Sequence, residues 1–253
     1  MANLLDALAA EDGGASLKTL AAETGLHPST AFRILASLIE HDFVRRDDGG
    51  KGGGLYRLGP RLLQLAARAR AGLDVRELAR PEMEALRDRV GETINLTIRQ
   101  GDEMVYVERV SPNRMMRVEQ LIGSRAPLHV TAVGKLMLGE AGAQAISEYV
   151  HRTGLPAYTA NTLVEGDRLR RVIEASLAQG FALDNEEAEL GVGCIGALIR
   201  DASGQAVAGL SVSAPMERRR LDWVPWVQEA AARISTRLGY VANLKGESSP
   251  CGE

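Results

Sequence analysis

Residues 16–58, SLKTLAAETGLHPSTAFRILASLIEHDFVRRDDGGKGGGLYRL, decide how the amino-terminal part of the chain is read. A short helical pattern over 16–22 stops at Gly25, and a second helical run opens at Pro28. Proline is tolerated at the first helical position because the amide it lacks has no intrahelical partner there. Ala31, Ile34, Leu35 and Leu38 recur at i, i+3, i+4 and i+7, a stripe that faces a core. Ser29, Thr30, Arg33 and Ser37 fall off that stripe and form a polar face. A short strand candidate at 43–44 runs into Arg45 and Arg46, then a Gly-rich tip, then a second strand candidate at 55–58. Helix, turn, helix and Gly-rich hairpin is the order of a winged helix-turn-helix.

The second helix of such a unit enters the major groove and presents its first turns to base edges. Arg33 suits guanine, because its fork donates to O6 and N7 together. Ser29, Thr30 and Ser37 suit phosphate oxygens or base edges. Lys51 at the tip, with Arg45, Arg46 and Arg57 on the strands, suits the phosphate backbone, and Tyr56 completes the candidate DNA-contacting set. The plain alternative is a small helical domain with a solvated face and a surface loop. Residues 1–60 hold six Lys/Arg against eight Asp/Glu, so the segment is net −2 rather than basic. Five of the six cations fall from Arg33 onward, and patch location matters more than total charge. Modest affinity per protomer favours a dimer reading two half-sites.

The 253 residues suffice for two domains with their own cores. A net charge of −3 implies no general attraction to nucleic acid or membranes. No apolar run approaches the roughly 20 residues of a spanning helix. MANLLDALAAEDGG lacks a basic segment followed by a continuous apolar one, so no signal peptide is expected. Cys194 and Cys251 are the only cysteines, which fits a reducing cytoplasm and no disulfide framework. The four histidines are scattered without metal-ligand spacing, and no phosphate-loop or nucleotide-binding fingerprint occurs, so neither metal nor cofactor is expected.

Leu4, Leu5 and Leu8 form a helical face before an acidic turn. After Gly59-Pro60, residues 61–73 read as a connecting helix with Leu62, Leu65, Ala66 and Ala69 in its stripe. It is either a plain spacer or a helix that packs on its copy in a second chain. A helix over 74–90 contains Pro81, a boundary or kink signal. Strands follow at 93–99 and 104–110 around a hairpin turn, with a further candidate at 117–121. Residues 127–129 read as extended, and 131–138 as a helix start in which Gly134 permits close backbone approach. Helices at 144–151 and 167–179, strands at 181–184, 191–199 and 207–214, and a closing helix at 223–238 complete an α+β pattern with a mainly antiparallel sheet.

Two places could hold a ligand. Between His129 and Lys135 a helix N-terminus offers free amides suited to a carboxylate. At 184–194 a polar loop runs into a buried strand, with Asp184 and Cys194 at its ends. Taken alone, Cys194 is a small buried hydrophobe and Asp184 a turn acid.

Five separated stretches, HPSTAFRILASL, YRLGPRLLQLA, PLHVTAVGKLML, LDNEEAELGVGCIGALIRDASGQAVAGLSVSAP and RLGY, resemble in that order the IclR family of bacterial transcriptional regulators. The resemblance implies a winged helix-turn-helix at 1–59, a linker helix at 60–73, a GAF-like α/β effector and oligomerisation domain at 74–245, and a frayed tail at 246–253. It implies double-stranded operator DNA, a homodimer or homotetramer, no membrane association, and a small organic acid or aromatic catabolite as effector. It places the effector carboxylate against the amides of Ala132 and Val133, Asp184 and Cys194; His129, from the helix-start stretch, joins the candidate effector-binding set. Met115, Val118, Ala126 and Val192 would form apolar walls, and the small Ala126 would leave room for a larger, aromatic acid. The rival reading is an enzyme with Cys194 as nucleophile or redox thiol. A third is a DNA-binding protein whose second domain only oligomerises.

Overall fold

The computed structural model describes residues 1–11, 13–47, 54–72 and 74–241, without the side chains of 69–71. The chain forms two compact units, Met1–Leu73 and Asp74–Glu253.

The first unit runs α1 (Ala2–Ala9), α2 (Leu17–Thr24), α3 (Pro28–Glu40), β1 (Val44–Asp47), β2 (Leu55–Leu58) and α4 (Arg61–Ala71). Ser16 caps α2 by accepting from the Thr19 amide, and Gly25 ends it at φ 66°, a conformation open to glycine without strain. His27 precedes Pro28 and caps α3. Leu4, Leu8, Leu20, Ala31, Leu35, Leu38 and Val44 form the core, which turns the opposite face of α3 to solvent. Truncating Leu35, fully buried, falls in the class costing about 2–5 kcal/mol. β1 and β2 pair antiparallel, Arg45 opposite Arg57, and Tyr56 also bridges to Ala15. On α4, Leu63 and Leu65 are exposed within the protomer.

The second unit is a six-stranded antiparallel sheet of order β5-β4-β3-β8-β7-β6. Its strands are β3 (Thr93–Gln100), β4 (Glu103–Val110), β5 (Arg125–Pro127), β6 (Ala182–Asn185), β7 (Val192–Arg200) and β8 (Ala206–Pro215). α5 (Val75–Val90) and α9 (Val224–Arg237) cover one face, where Ile94, Leu96, Ile195, Leu210 and Val212 meet Met83, Leu86, Val227 and Ile234. α6 (Ala132–Glu140), α7 (Gly142–Thr153) and α8 (Gly166–Gln179) belong to the other side, around Met104, Leu128, Met137, Tyr149 and Ile173.

The structure departs from the sequence expectations in three places. Residues 117–121 form no strand. Leu128–Val130 is a 3₁₀ turn rather than extended chain, with the strand one step earlier at Arg125–Pro127. Pro81 does not interrupt α5, which runs from its Asp74 cap to Gly91 as one element.

Candidate DNA interface and effector pocket

On α3, Ser29, Thr30, Arg33 and Ser37 are all exposed. Arg33 makes no ion pair or hydrogen bond among the described residues. The Ser29 hydroxyl sits 2.8 Å from His27 Nδ1, which also accepts from the Ser29 amide at 3.4 Å. With Nδ1 accepting, a neutral His27 ring carries its proton on Nε2. His27 and Phe32, the latter 48 % exposed, are also open to solvent at this helix, although the apolar stripe gave no reason to single them out.

The hairpin is less uniformly cationic than its sequence. Arg45 and Arg46 are exposed. Arg57 is ion-paired to Asp47 at 2.8 Å, with both side chains about half exposed, so a phosphate would compete with that carboxylate. Tyr56 is a correction: at 3 % exposure its ring is core, lying beneath the Arg46 guanidinium at 5.7 Å instead of facing a duplex. Lys51 lies outside the described residues.

In the second unit, Thr131 caps α6 by accepting from the Gly134 amide at 3.1 Å. A Cβ on Gly134 would collide with Thr131 Oγ1 and the Leu128 carbonyl, so glycine is required for the tight start. The first two helical amides, of Ala132 and Val133, have no acceptor within the helix. Gly209 beneath them lets the helix end rest on the sheet, since a Cβ there would overlap Val133 Cγ1.

A cavity of about 50 Å³ opens at this helix end, lined by Ala132, Val133, Asp184, Val192 and Cys194. Asp184 and Cys194 are directly paired across β6 and β7. Burial pushes the Asp184 carboxyl up to about 6 despite the Glu187 amide, which donates to Oδ1 at 2.8 Å. Burial also raises the Cys194 thiol, which lies 3.2 Å from the Ser213 hydroxyl, so it stays protonated at neutral pH. Behind this site Lys135 and Glu187, both buried, pair at 2.5 and 2.6 Å and tie α6 to the β6–β7 loop.

Four expected pocket residues lie elsewhere. Met115 is fully exposed. Val118 gives its carbonyl to the Thr93 hydroxyl at 2.7 Å and stays outside the cavity lining. Ala126 pairs with Met104 at the sheet edge, so its small side chain adds no room to the cavity. His129 is wholly buried, with Nδ1 2.7 Å from the Tyr149 hydroxyl and Nε2 3.1 Å from the Pro156 carbonyl. Both ring nitrogens are engaged in packing, and burial lowers the imidazole's pKa.

The lining includes residues that sequence reasoning passed over: Thr97, Tyr106, Gln120, Glu189 and Ser211. Their signal was present. Thr93, Asn95 and Thr97 alternate with Ile94 and Leu96, and Ser211 and Ser213 with Leu210 and Val212. Alternation normally marks a strand with one wet face. Here the polar face is buried as well.

The sequence pattern of the bacterial transcriptional regulator IclR C-terminal domain matches residues 67–237, and that of the IclR helix-turn-helix domain matches residues 2–48. The chain belongs to the IclR family of transcriptional regulators. The HTH-type transcriptional repressor AllR of Escherichia coli (strain UTI89 / UPEC) is 32 % identical over 95 % of this chain and 89 % of its own length. The repressor BlcR of Agobacterium tumefaciens superposes with a TM-score of 0.74 at 26 % identity, covering 94 % of this chain and 95 % of that one. An IclR homologue of Microbacterium hydrocarbonoxydans, complexed with 4-hydroxybenzoate, gives 0.62 at 26 % identity, over 94 % of this chain and 96 % of that one. The regulator thus binds DNA through its winged helix-turn-helix. Among its described residues no helix is long and apolar enough to cross a membrane.

Proposed function

We propose that the regulator is a cytoplasmic homo-oligomer, not an enzyme, whose operator binding is set by a small carboxylic acid held at the α6 N-terminus. The division follows the sequence: DNA reader at 1–59, linker at 60–73, effector and oligomerisation domain at 74–245. The observation that carries the reading is the cavity where the Ala132 and Val133 amides meet Asp184 and Cys194. Amides at a helix start, aided by the helix dipole, stabilise an anion. Effector binding shifts the population between DNA-competent and incompetent arrangements, which requires different affinities for the two. Against a nucleophilic Cys194 stand its raised pKa and its neighbours, a serine hydroxyl and a carboxyl instead of an imidazole.

The 4-hydroxybenzoate complex of the Microbacterium homologue favours an aromatic acid. The cavity of about 50 Å³ here favours a molecule of a few heavy atoms, since one water needs about 10–15 Å³ on the same measure. Isothermal titration of the full chain with two- to four-carbon acids and with 4-hydroxybenzoate separates the two. Binding of 4-hydroxybenzoate alone overturns the small-acid reading, and binding of no acid overturns the pocket.

A further inference from the structure

The side chains of α3 divide between two faces. Ala31, Ile34, Leu35 and Leu38 pack into the amino-terminal core. Ser29, Phe32, Arg33, Ala36 and Ser37 recur at i, i+3, i+4, i+7 and i+8, which sets them along the opposite face, and all five are exposed. Four of these are small or polar. The fifth, Phe32, is the one exposed phenylalanine of the chain's three. Phe43 and Phe181 are partly buried, the first against the amino-terminal core and the second against the sheet core. Ser29 and Ala36, about one turn to either side of Phe32, have short side chains, so the ring is the longest apolar group along its strip.

A single exposed apolar side chain is ordinary on a surface at large. Its location gives this one weight. Phe32 lies in the second turn of α3 and next to Arg33 in sequence. The amino-terminal residues of such a helix reach base edges in the major groove. Helix formation does not account for phenylalanine here, since alanine, lysine or glutamine would favour the helix more. In the major groove the C5-methyl of thymine is the apolar feature, and the other distinguishing groups are hydrogen-bond donors and acceptors. A phenyl ring over a donor or acceptor removes its water and returns no bond, which costs free energy. Over a methyl, the ring takes apolar surface out of water on both sides.

We propose that Phe32 is a specificity-determining residue of the DNA interface, its ring packing on the C5-methyl of a thymine in the half-site that α3 enters. The inference rests on the reading of α3 as the groove helix and adds a second base to it. Arg33 holds a guanine by paired hydrogen bonds. Phe32 selects thymine by apolar contact and disfavours the other bases by desolvating their edges. Phosphate contacts set the register of the helix and carry no such choice.

The test uses duplexes that the full chain enriches from a random-sequence pool, with each thymine replaced in turn by deoxyuridine, which lacks the methyl and keeps the pairing. Affinities are measured at fixed salt for wild type, Phe32→Ala, Phe32→Leu and Arg33→Ala. Phe32 is exposed, so its substitutions leave the core intact. In wild type, replacing at least one thymine weakens binding by about fourfold, the factor that burial of one methyl contributes. Phe32→Ala abolishes that penalty and leaves those at other thymines, while Phe32→Leu retains part of it. At the same position, 5-methylcytosine paired with guanine binds wild type better than cytosine does, and Phe32→Ala does not distinguish the two. A wild type indifferent to every thymine methyl, a methyl penalty undiminished in Phe32→Ala, or equal weakening of enriched and random DNA by Phe32→Ala would each overturn the inference. If Arg33→Ala still lowers the ratio of enriched to random-DNA affinity in those cases, α3 remains the reading helix. Unchanged ratios in both Phe32→Ala and Arg33→Ala, or a pool from which no duplex is enriched, would remove both.

Discussion

Replacing Asp184 by Asn turns the buried acid into a stability measurement. The carboxyl rises from 3.8 to about 6 because burial penalises its charge. A group that holds its proton more tightly when folded stabilises the fold below its unfolded pKa, and that contribution is lost as pH rises through the folded value. The window is therefore about pH 4 to pH 6, with stability falling as pH increases. At about 1.4 kcal/mol per pKa unit, the loss amounts to at most about 3 kcal/mol by pH 7. Asn keeps the size and can still accept the Glu187 amide, but carries no charge to desolvate. The variant should match wild type near pH 4 and exceed it by up to about 3 kcal/mol at pH 7.5. Asp102 and Glu140, whose carboxyls are lowered by arginine partners, shift stability the opposite way but equally in both proteins. Urea unfolding followed by tryptophan emission reads this domain alone, because Trp223 and Trp226 are the chain's only tryptophans. A difference that stays flat from pH 4 to 8, or a variant less stable than wild type at pH 7.5, would refute the reasoning.

Three further outcomes are expected. Arg33→Ala should weaken specific operator binding by about 1–3 kcal/mol at fixed salt, the range for one bidentate base contact, and an unchanged ratio of operator to random-DNA affinity would exclude that contact. Lys135→Met strands the Glu187 carboxylate in the interior and should destabilise by about 3–5 kcal/mol, with the double variant Lys135→Met/Glu187→Leu recovering most of it; additive losses in a double-mutant cycle would show that the pair is not coupled. A carboxylate effector faces Asp184, Glu189, Cys194 and Tyr106 in the lining, with Glu187, Lys135 and Arg219 nearby, and no cation among the lining residues. Its binding should therefore take up a proton at Asp184 and weaken above about pH 6, by up to about tenfold per pH unit. Calorimetry in buffers of different ionisation enthalpy detects that proton, and zero uptake at pH 7 would contradict it.

The amino-terminal unit was readable because its signals are local. The stripe of Ala31, Leu35 and Leu38, the Pro28 start and the Gly25 stop each act within a few residues, and the structure places all of them accordingly. Tyr56 misled because a strand residue beside arginines gives no sign of which face it takes. In the second unit the helix start and the Asp184 and Cys194 pairing could be named from sequence, whereas the walls could not. Met115, Val118 and Ala126 lie on segments whose placement depends on long-range packing, and 117–121 lacks strand structure altogether. The polar floor was written as plain alternation in β3 and β8. What hid it was the missing knowledge that α6 lies across that face.

The β6–β7 loop is held from several directions. Thr159 and Thr162 donate to the carbonyls of Glu186 and Glu187 at 2.6 and 2.7 Å, the Glu187 amide bonds Asp184, and its carboxylate holds Lys135. Fraying one residue at a time would expose unpaired groups at every step, so the segment releases together or stays shut. Deuterium uptake across 186–189 should then follow one shared opening, and a metabolite reaching the cavity by this side would wait for it. How quickly the regulator answers a change in its surroundings would in that case be set by the frequency of this opening, largely independent of how tightly the molecule is finally held.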